Sequence, residues 1–270
     1  MNCRRLLVIP LGRFSSKISE PLSLSRESYH FWFGRIDGIH LPEGMEESLS
    51  EDEKARANRI EFTTLRRRFL KSRFLLRLIL SRYAGVEPES LSFGYGSKGK
   101  PYLKDGSVPQ NLRFSTSDCG PYWACAVASG QDIGVDIERI RPFPGMNRFV
   151  KRYFSAREEK FFQSLDSLTR VRSFFEMWTA KEAYLKGTGD GVTLNLGEIS
   201  TVPAPNWSFK IEIFSNGCWR RTPWKTCQIE PERDVTASLA LRESPCEMQF
   251  LSLADPLVES QPLQATRVTW

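Results

Sequence analysis

Histidine is nearly missing from this chain: the sequence holds two, His30 and His40, both near the N-terminus. A His-rich zinc site or a histidine-based catalytic triad is hard to build from them. Six cysteines occur (Cys3, Cys119, Cys125, Cys218, Cys227, Cys246) but no CxxC pair. They read as reduced, mostly buried thiols of a cytoplasmic protein. No run of 18 or more apolar residues exists, so a membrane span is not expected. Acid is absent from the first nineteen residues, which carry Arg4, Arg5, Arg13 and Lys17. A targeting segment is open on that ground. The long amphipathic pattern of one is lacking, and an N-terminal extension over residues 1–25 is the simpler reading.

What is present is basic. The net charge of +6 over 270 residues favours anionic partners, and nucleic acid, a phosphorylated small molecule or an acidic protein would all serve. Much of the charge lies between Arg66 and Arg82. There Leu65, Phe69, Leu76, Ile79, Leu80 and Tyr83 keep a helical period, and Gly85 provides a stop. The remaining face carries Arg66, Arg67, Arg68, Lys71, Arg73 and Arg77, either as a solvated surface or as one that faces an anion.

Tyr29–Ile36 reads as a core strand, and the acids from Glu46 to Glu53 suit a helix start. Tyr122–Ala128 and Ile133–Ile137 read as strands, with Ser129-Gly130-Gln131-Asp132 as a hairpin turn between them. Ser155-x-x-Glu158 is a capping box that starts a helix near Ala156. A longer helix is expected from about Thr169 to Lys186, closed by Gly187, Gly189 and Gly191. Helix and strand patterns recur in both parts of the chain. The fold class is therefore α+β, as two similar halves over residues 26–131 and 132–270 joined near Gln131.

The chemistry concentrates in two places. Asp136 and Glu138 lie two apart on a strand, so both side chains share a face while Ile137 points into a core. Paired carboxylates repel unless a cation or proton separates them, and an all-oxygen pair suits magnesium. Alone, the pair would equally suit a strand end with solvated acids. In Trp178-x-x-Lys181-Glu182-Ala-x-Leu185-Lys186, helical spacing gathers these residues on one broad face. Glu182 is placed to join a metal and Lys186 to reach phosphate; a simple Glu182–Lys186 surface pair is the rival.

Gly134-Val-Asp136-Ile-Glu138 followed by Trp178-x-x-Lys181-Glu182-Ala183-x-x-Lys186 resembles the paired signatures of the Sfp-type 4′-phosphopantetheinyl transferases. Lys98-Gly99-Lys100-Pro101, Phe114-Ser115-Thr116-Ser117 and Phe154-Ser155-x-x-Glu158 extend the similarity. The resemblance implies a pseudo-twofold fold. It implies magnesium held by Asp136, Glu138 and Glu182, catalytic roles for Glu182 and Lys186, and coenzyme A bound by Arg56, Lys98, Gly99, Lys100, Ser115, Thr116, Ser117 and Lys186. The family's histidine after the last of those serines is replaced by Asp118, which cannot supply a cation to the 3′-phosphate.

The implied activity is transfer of the phosphopantetheine arm of coenzyme A to a serine of an acyl or peptidyl carrier protein, by a monomer, with neither nucleic acid nor membrane as partner. A magnesium-dependent phosphodiesterase or nuclease would use the same acids, but gives no reason for the second motif. A nucleic-acid-binding module would interleave aromatics with Lys and Arg, whereas the aromatics of 65–83 follow the core period.

Overall fold

β1 (Arg5–Pro10) and β2 (Ser28–Arg35) open the chain, followed by α1 (Glu51–Asn58) and α2 (Thr63–Ala84). β3 (Phe93–Tyr95), β4 (Pro101–Leu103), β5 (Leu112–Cys119), β6 (Tyr122–Ser129) and β7 (Gly134–Arg139) come next. α3 (Met146–Tyr153), α4 (Ala156–Ser164) and α5 (Ser167–Thr188) precede β8 (Ile199–Pro203), β9 (Phe209–Ser215), β10 (Cys218–Glu232), β11 (Val235–Leu241), β12 (Glu247–Ala254) and β13 (Arg267–Thr269). These elements come from a computed structural model that describes residues 5–10, 22–26, 28–40, 44–104, 111–189, 191, 195–203, 209–242, 247–254 and 267–269. The rest of the expected N-terminal extension lies outside the described residues.

The strands form two main sheets, β1-β12-β2-β6-β5 and β7-β11-β10-β9-β8, with β13 added to β10. Each contains the same unit. β2 leads through a long helix to β5 and β6 in the order β2-β6-β5, and β7 leads through α5 to β10 and β11 in the order β7-β11-β10; every pair in both units is antiparallel. The α+β reading with two similar halves matches this topology.

Strand residues alternate between two cores. Tyr29, Phe31 and Phe33 of β2 with Ala124 and Ala126 of β6 face Val135, Ile137, Ala237 and Leu239 of the other sheet. Trp32, Trp123, Cys125 and Val127 face Leu75, Leu76, Ile79 and Leu80 of α2. Because both faces are covered, these strands read as continuous apolar runs. α5 covers the far face of the second sheet, where Ala183, Tyr184 and Leu185 meet Ile211, Trp224 and Ala240. The layers are thus helix, sheet, sheet, helix.

Local signals hold well. Ser50 and Glu53 form a capping box at α1, Ser155 and Glu158 one at α4, and Gly85 takes the left-handed conformation that closes α2.

Three expectations change. The turn at 129–132 is not a hairpin: β6 already has β2 and β5 on its two edges, so β7 crosses to the second sheet. The division at Gln131 also puts 247–254 with the second half, yet β12 pairs in parallel with β1 and β2 in the first sheet. The basic face of α2 is largely spent within the protein. Arg73 and Arg77 are buried on Glu53, each at 2.7 Å, and stack over Phe93. Lys71 donates to the carbonyls of Ile36 and Ile39, Arg68 to Asp37 and Arg66 to Ile60. Buried arginine needs an acid, and α1 supplies it.

Candidate active site

The site begins with two glycines. A Cβ on Gly134 would stand 1.9 Å from the Ala183 carbonyl and 2.4 Å from the Gly187 amide, and one on Gly187 would stand 2.7 Å from the Trp224 ring. Their absence of side chains lets the C-terminal turns of α5 lie directly on the start of β7. That contact sets Lys186 of α5 against Asp136 of β7, with Nζ 2.6 Å from Oδ1. Ser117 of β5 completes the cluster: its hydroxyl donates to Asp136 Oδ1 at 2.8 Å and accepts from Lys186 Nζ at 2.9 Å. Three elements and both halves therefore meet on one carboxylate.

β5 is held there by an alternating set of side chains. Ser115, Ser117 and Cys119 accept hydrogen bonds from the edge amides of Val135, Ile137 and Arg139. Edge amides left unpaired in a buried seam would each cost about 1–3 kcal/mol.

Asp136 is buried, and its Oδ2 has no hydrogen-bond partner. Burial pushes its carboxyl above the ordinary range, against the pull of Lys186 and Ser117. Glu138 shares the face, accepting from Cys119 Sγ at 3.2 Å, with Arg141 3.5 Å away. Burial raises its pKa too, and Asp136 adds to the rise. Glu182, one turn before Lys186, is raised by burial and then by Asp136, with Lys186 opposing and Glu138 adding. Three carboxylates therefore lie close enough to destabilise one another's charge, with Lys186 beside Asp136 and Arg141 beside Glu138. Among the described residues, no three His, Cys, Asp or Glu side chains already converge as a metal cage.

Two family models cover this arrangement: the 4′-phosphopantetheinyl transferase superfamily over residues 132–240, and the 4′-phosphopantetheinyl transferase N-terminal model over residues 43–130. The chain is 36% identical to the 4′-phosphopantetheinyl transferase HetI of a Nostoc species, over 82% of this chain and 90% of that one. The chain belongs to the 4′-phosphopantetheinyl transferases. It is also 35% identical to a putative 4′-phosphopantetheinyl transferase of a Synechocystis species, across 62% of this chain and 68% of that one. To the transferase Sfp of Bacillus subtilis it is 25% identical, across 83% of this chain and 100% of that one.

In this phosphopantetheinyl transferase the remaining expected site residues take different stations. Lys98 and Gly99 form the exposed tip between β3 and β4, where Gly99 has φ +83°. A Cβ on Gly191 would lie 3.2 Å from that of Lys98, so the tip abuts the segment after α5. Lys100 instead turns inward. Its Nζ donates to the Gly187 carbonyl at 2.6 Å, and burial lowers its pKa. Arg56 is exposed and donates to the Tyr95 hydroxyl at 3.0 Å. Ser115 and Ser117 are buried with their hydroxyls engaged, and Thr116 is half-buried between them. Asp118 is exposed and lies within the electrostatic reach of Arg68.

One pair escaped the sequence reading. Lys181, fully buried, meets Glu158 at 2.7 Å and donates to the carbonyls of Leu196 and Ile199 at 2.8 and 2.6 Å. Glu158 also accepts from the Thr201 amide and hydroxyl. Lys181 thus anchors α5 to α4 and β8 beneath Glu182. The capping box made Glu158 visible; nothing local announced its partner.

Proposed function

We propose that this transferase moves the 4′-phosphopantetheine arm of coenzyme A onto a serine of an apo acyl or peptidyl carrier protein, releasing adenosine 3′,5′-bisphosphate. The observation that carries the site assignment is the trio Asp136, Glu138 and Glu182, whose charges raise one another's proton affinity, with Asp136 Oδ2 buried and unpartnered. That oxygen and the mutual repulsion of the trio fit a divalent cation, which we take to be magnesium held by these three residues. Bound there, the ion would neutralise charge on the pyrophosphate.

The chain's own groups do the rest. The serine oxygen forms a bond to the β-phosphorus as the bond from that phosphorus to the bridging oxygen breaks, and the bridging oxygen leaves on the nucleotide. Glu182 is the base for the hydroxyl proton. It takes that proton directly or through water, from the turn of α5 that also presents Lys186. Lys186 supplies a cation to the leaving phosphate. Arg56 and Lys98 contact coenzyme A from their exposed positions, beside Gly99. Lys100, Ser115 and Ser117 shape the coenzyme A side from below with Thr116 between, since their polar atoms hold α5 and β7 in place. Ser117 and Lys186 come from different halves of one chain, which supports action as a monomer. Free thiols at Cys119, Cys125, Cys218 and Cys227 accord with the cytoplasm.

The test is the intact mass of an apo carrier protein incubated with the enzyme, coenzyme A and magnesium. A gain of one phosphopantetheine arm, lost with EDTA and with Glu182→Ala, is expected. Gain that persists in EDTA would refute the metal assignment, and no gain on any carrier type would refute the transfer.

A further inference from the structure

Lys186 is not displayed to solvent as a waiting phosphate ligand. It is docked, 2.6 Å from Asp136 Oδ1 and 2.9 Å from Ser117 Oγ. Ser117 in turn is fixed by its donation to Asp136 and by the Ile137 amide. This ammonium already serves as the counter-ion of the buried carboxylate, on which the metal reading above relies. An ammonium and a divalent ion on one carboxylate repel each other.

We propose that Lys186 is an internal stand-in for the cation: in the free enzyme it holds Asp136, and it leaves only when coenzyme A offers phosphate oxygens in exchange. Metal binding then depends on the substrate, and Lys186 is a gate as well as a phosphate ligand. Four features of the chain support the exchange. The Lys186 side chain is 33% exposed while that of Asp136 is 8% exposed, so the lysine end of the pair is the one able to swing. Its flexible four-carbon stem costs little to redirect. Lys186 and Arg141 together cannot neutralise three carboxylates, so a pocket with Lys186 moved onto phosphate accepts a divalent ion more readily than one with Lys186 docked. Ser117 keeps Asp136 oriented after the lysine departs, because its own hydrogen bond to Oδ1 does not involve the lysine.

The apparent metal affinity of such a site is reduced by the fraction of molecules in which Asp136 is free. If that fraction is about one tenth, affinity is weakened about tenfold. By reciprocity, metal and coenzyme A strengthen each other's binding.

The experiment is Mn2+ binding, read as free ion by electron paramagnetic resonance, for wild type, Lys186→Met and Lys186→Arg, each with and without coenzyme A and corrected for ion held by coenzyme A alone. Lys186→Met should bind Mn2+ without coenzyme A on the order of tenfold tighter than wild type, and Lys186→Arg should stay as weak as wild type. Circular dichroism checks folding, and Lys186→Gln takes the place of the methionine variant if that one does not fold. Equal or weaker binding by the neutral variants overturns the stand-in role while leaving the metal site intact. Absence of Mn2+ from every form, even with coenzyme A, overturns the metal reading and this inference with it.

Discussion

Lys181→Met isolates the buried anchor beneath the site. In the native protein Lys181 Nζ has three close partners: Glu158 at 2.7 Å and the carbonyls of Leu196 and Ile199 at 2.8 and 2.6 Å. Methionine fills much of the same volume but leaves a buried carboxylate and two carbonyls without their donor. Breaking a buried pair from one side typically costs about 3–5 kcal/mol. Glu158 keeps hydrogen bonds from the Ser155 amide and from the Thr201 amide and hydroxyl, so the expected loss is at the lower end, about 3 kcal/mol. Adding Glu158→Gln removes the stranded charge and should restore about 1–2 kcal/mol.

The assay is urea unfolding followed by tryptophan fluorescence, with unchanged slope required before midpoints are compared. Transfer by the folded fraction should stay within about threefold of wild type, because Lys181 positions α5 without touching the reacting atoms. A loss below about 1 kcal/mol would refute the buried pair as an anchor. A selective fall in kcat with stability intact would refute its structural role altogether.

Other perturbations read other parts of the argument. Gly134→Ala drives a Cβ into the Ala183 carbonyl; backbone cannot step aside as a rotamer can, so stability should fall by about 1–3 kcal/mol and kcat by about a hundredfold as α5 lifts from β7. Both are measured on one preparation, and an unperturbed kcat would refute the close approach. Asp136→Asn should keep the fold and lose transfer by about a thousandfold or more, since charge stabilisation goes with the ligand; near wild-type turnover would sink the metal assignment. Glu53 has its pKa set below the ordinary 4.5: burial would raise it, but Arg73, the Ser50 amide and Arg77 outweigh burial. Its stabilisation is therefore complete above that ordinary value and disappears as pH falls through the lower folded value. Acid unfolding should be shallower in Glu53→Gln than in wild type, and identical profiles would contradict the pairing.

What could be read from sequence was whatever depends on neighbours along the chain. A two-residue period placed Asp136 and Glu138 on one face with Ile137 opposite, and a four-residue spacing stacked Glu182 over Lys186. The capping box at Ser155 is visible for the same reason. What escaped depends on which segments meet. Lys186 docks on Asp136 only because β7 and α5 share a glycine contact, and neither motif by itself says that its glycine faces the other. Arg73 and Arg77 looked like surface charge because their acid lies on α1, twenty and twenty-four residues earlier, and burial by a distant partner leaves no periodic trace. Lys100 lies in a basic loop, and the carbonyl it meets, 87 residues away in the last turn of α5, leaves no trace along the chain. The same cause underlies all three: a cation's role is fixed by the nearest unsatisfied oxygen in space. In this fold those oxygens lie on β7 for Lys186, on α1 for Arg73 and Arg77, and on the last turn of α5 for Lys100. Gly134 is no exception. Its role is steric, since a Cβ there would meet the Ala183 carbonyl and the Gly187 amide, and that requirement shows only once β7 and α5 are set together.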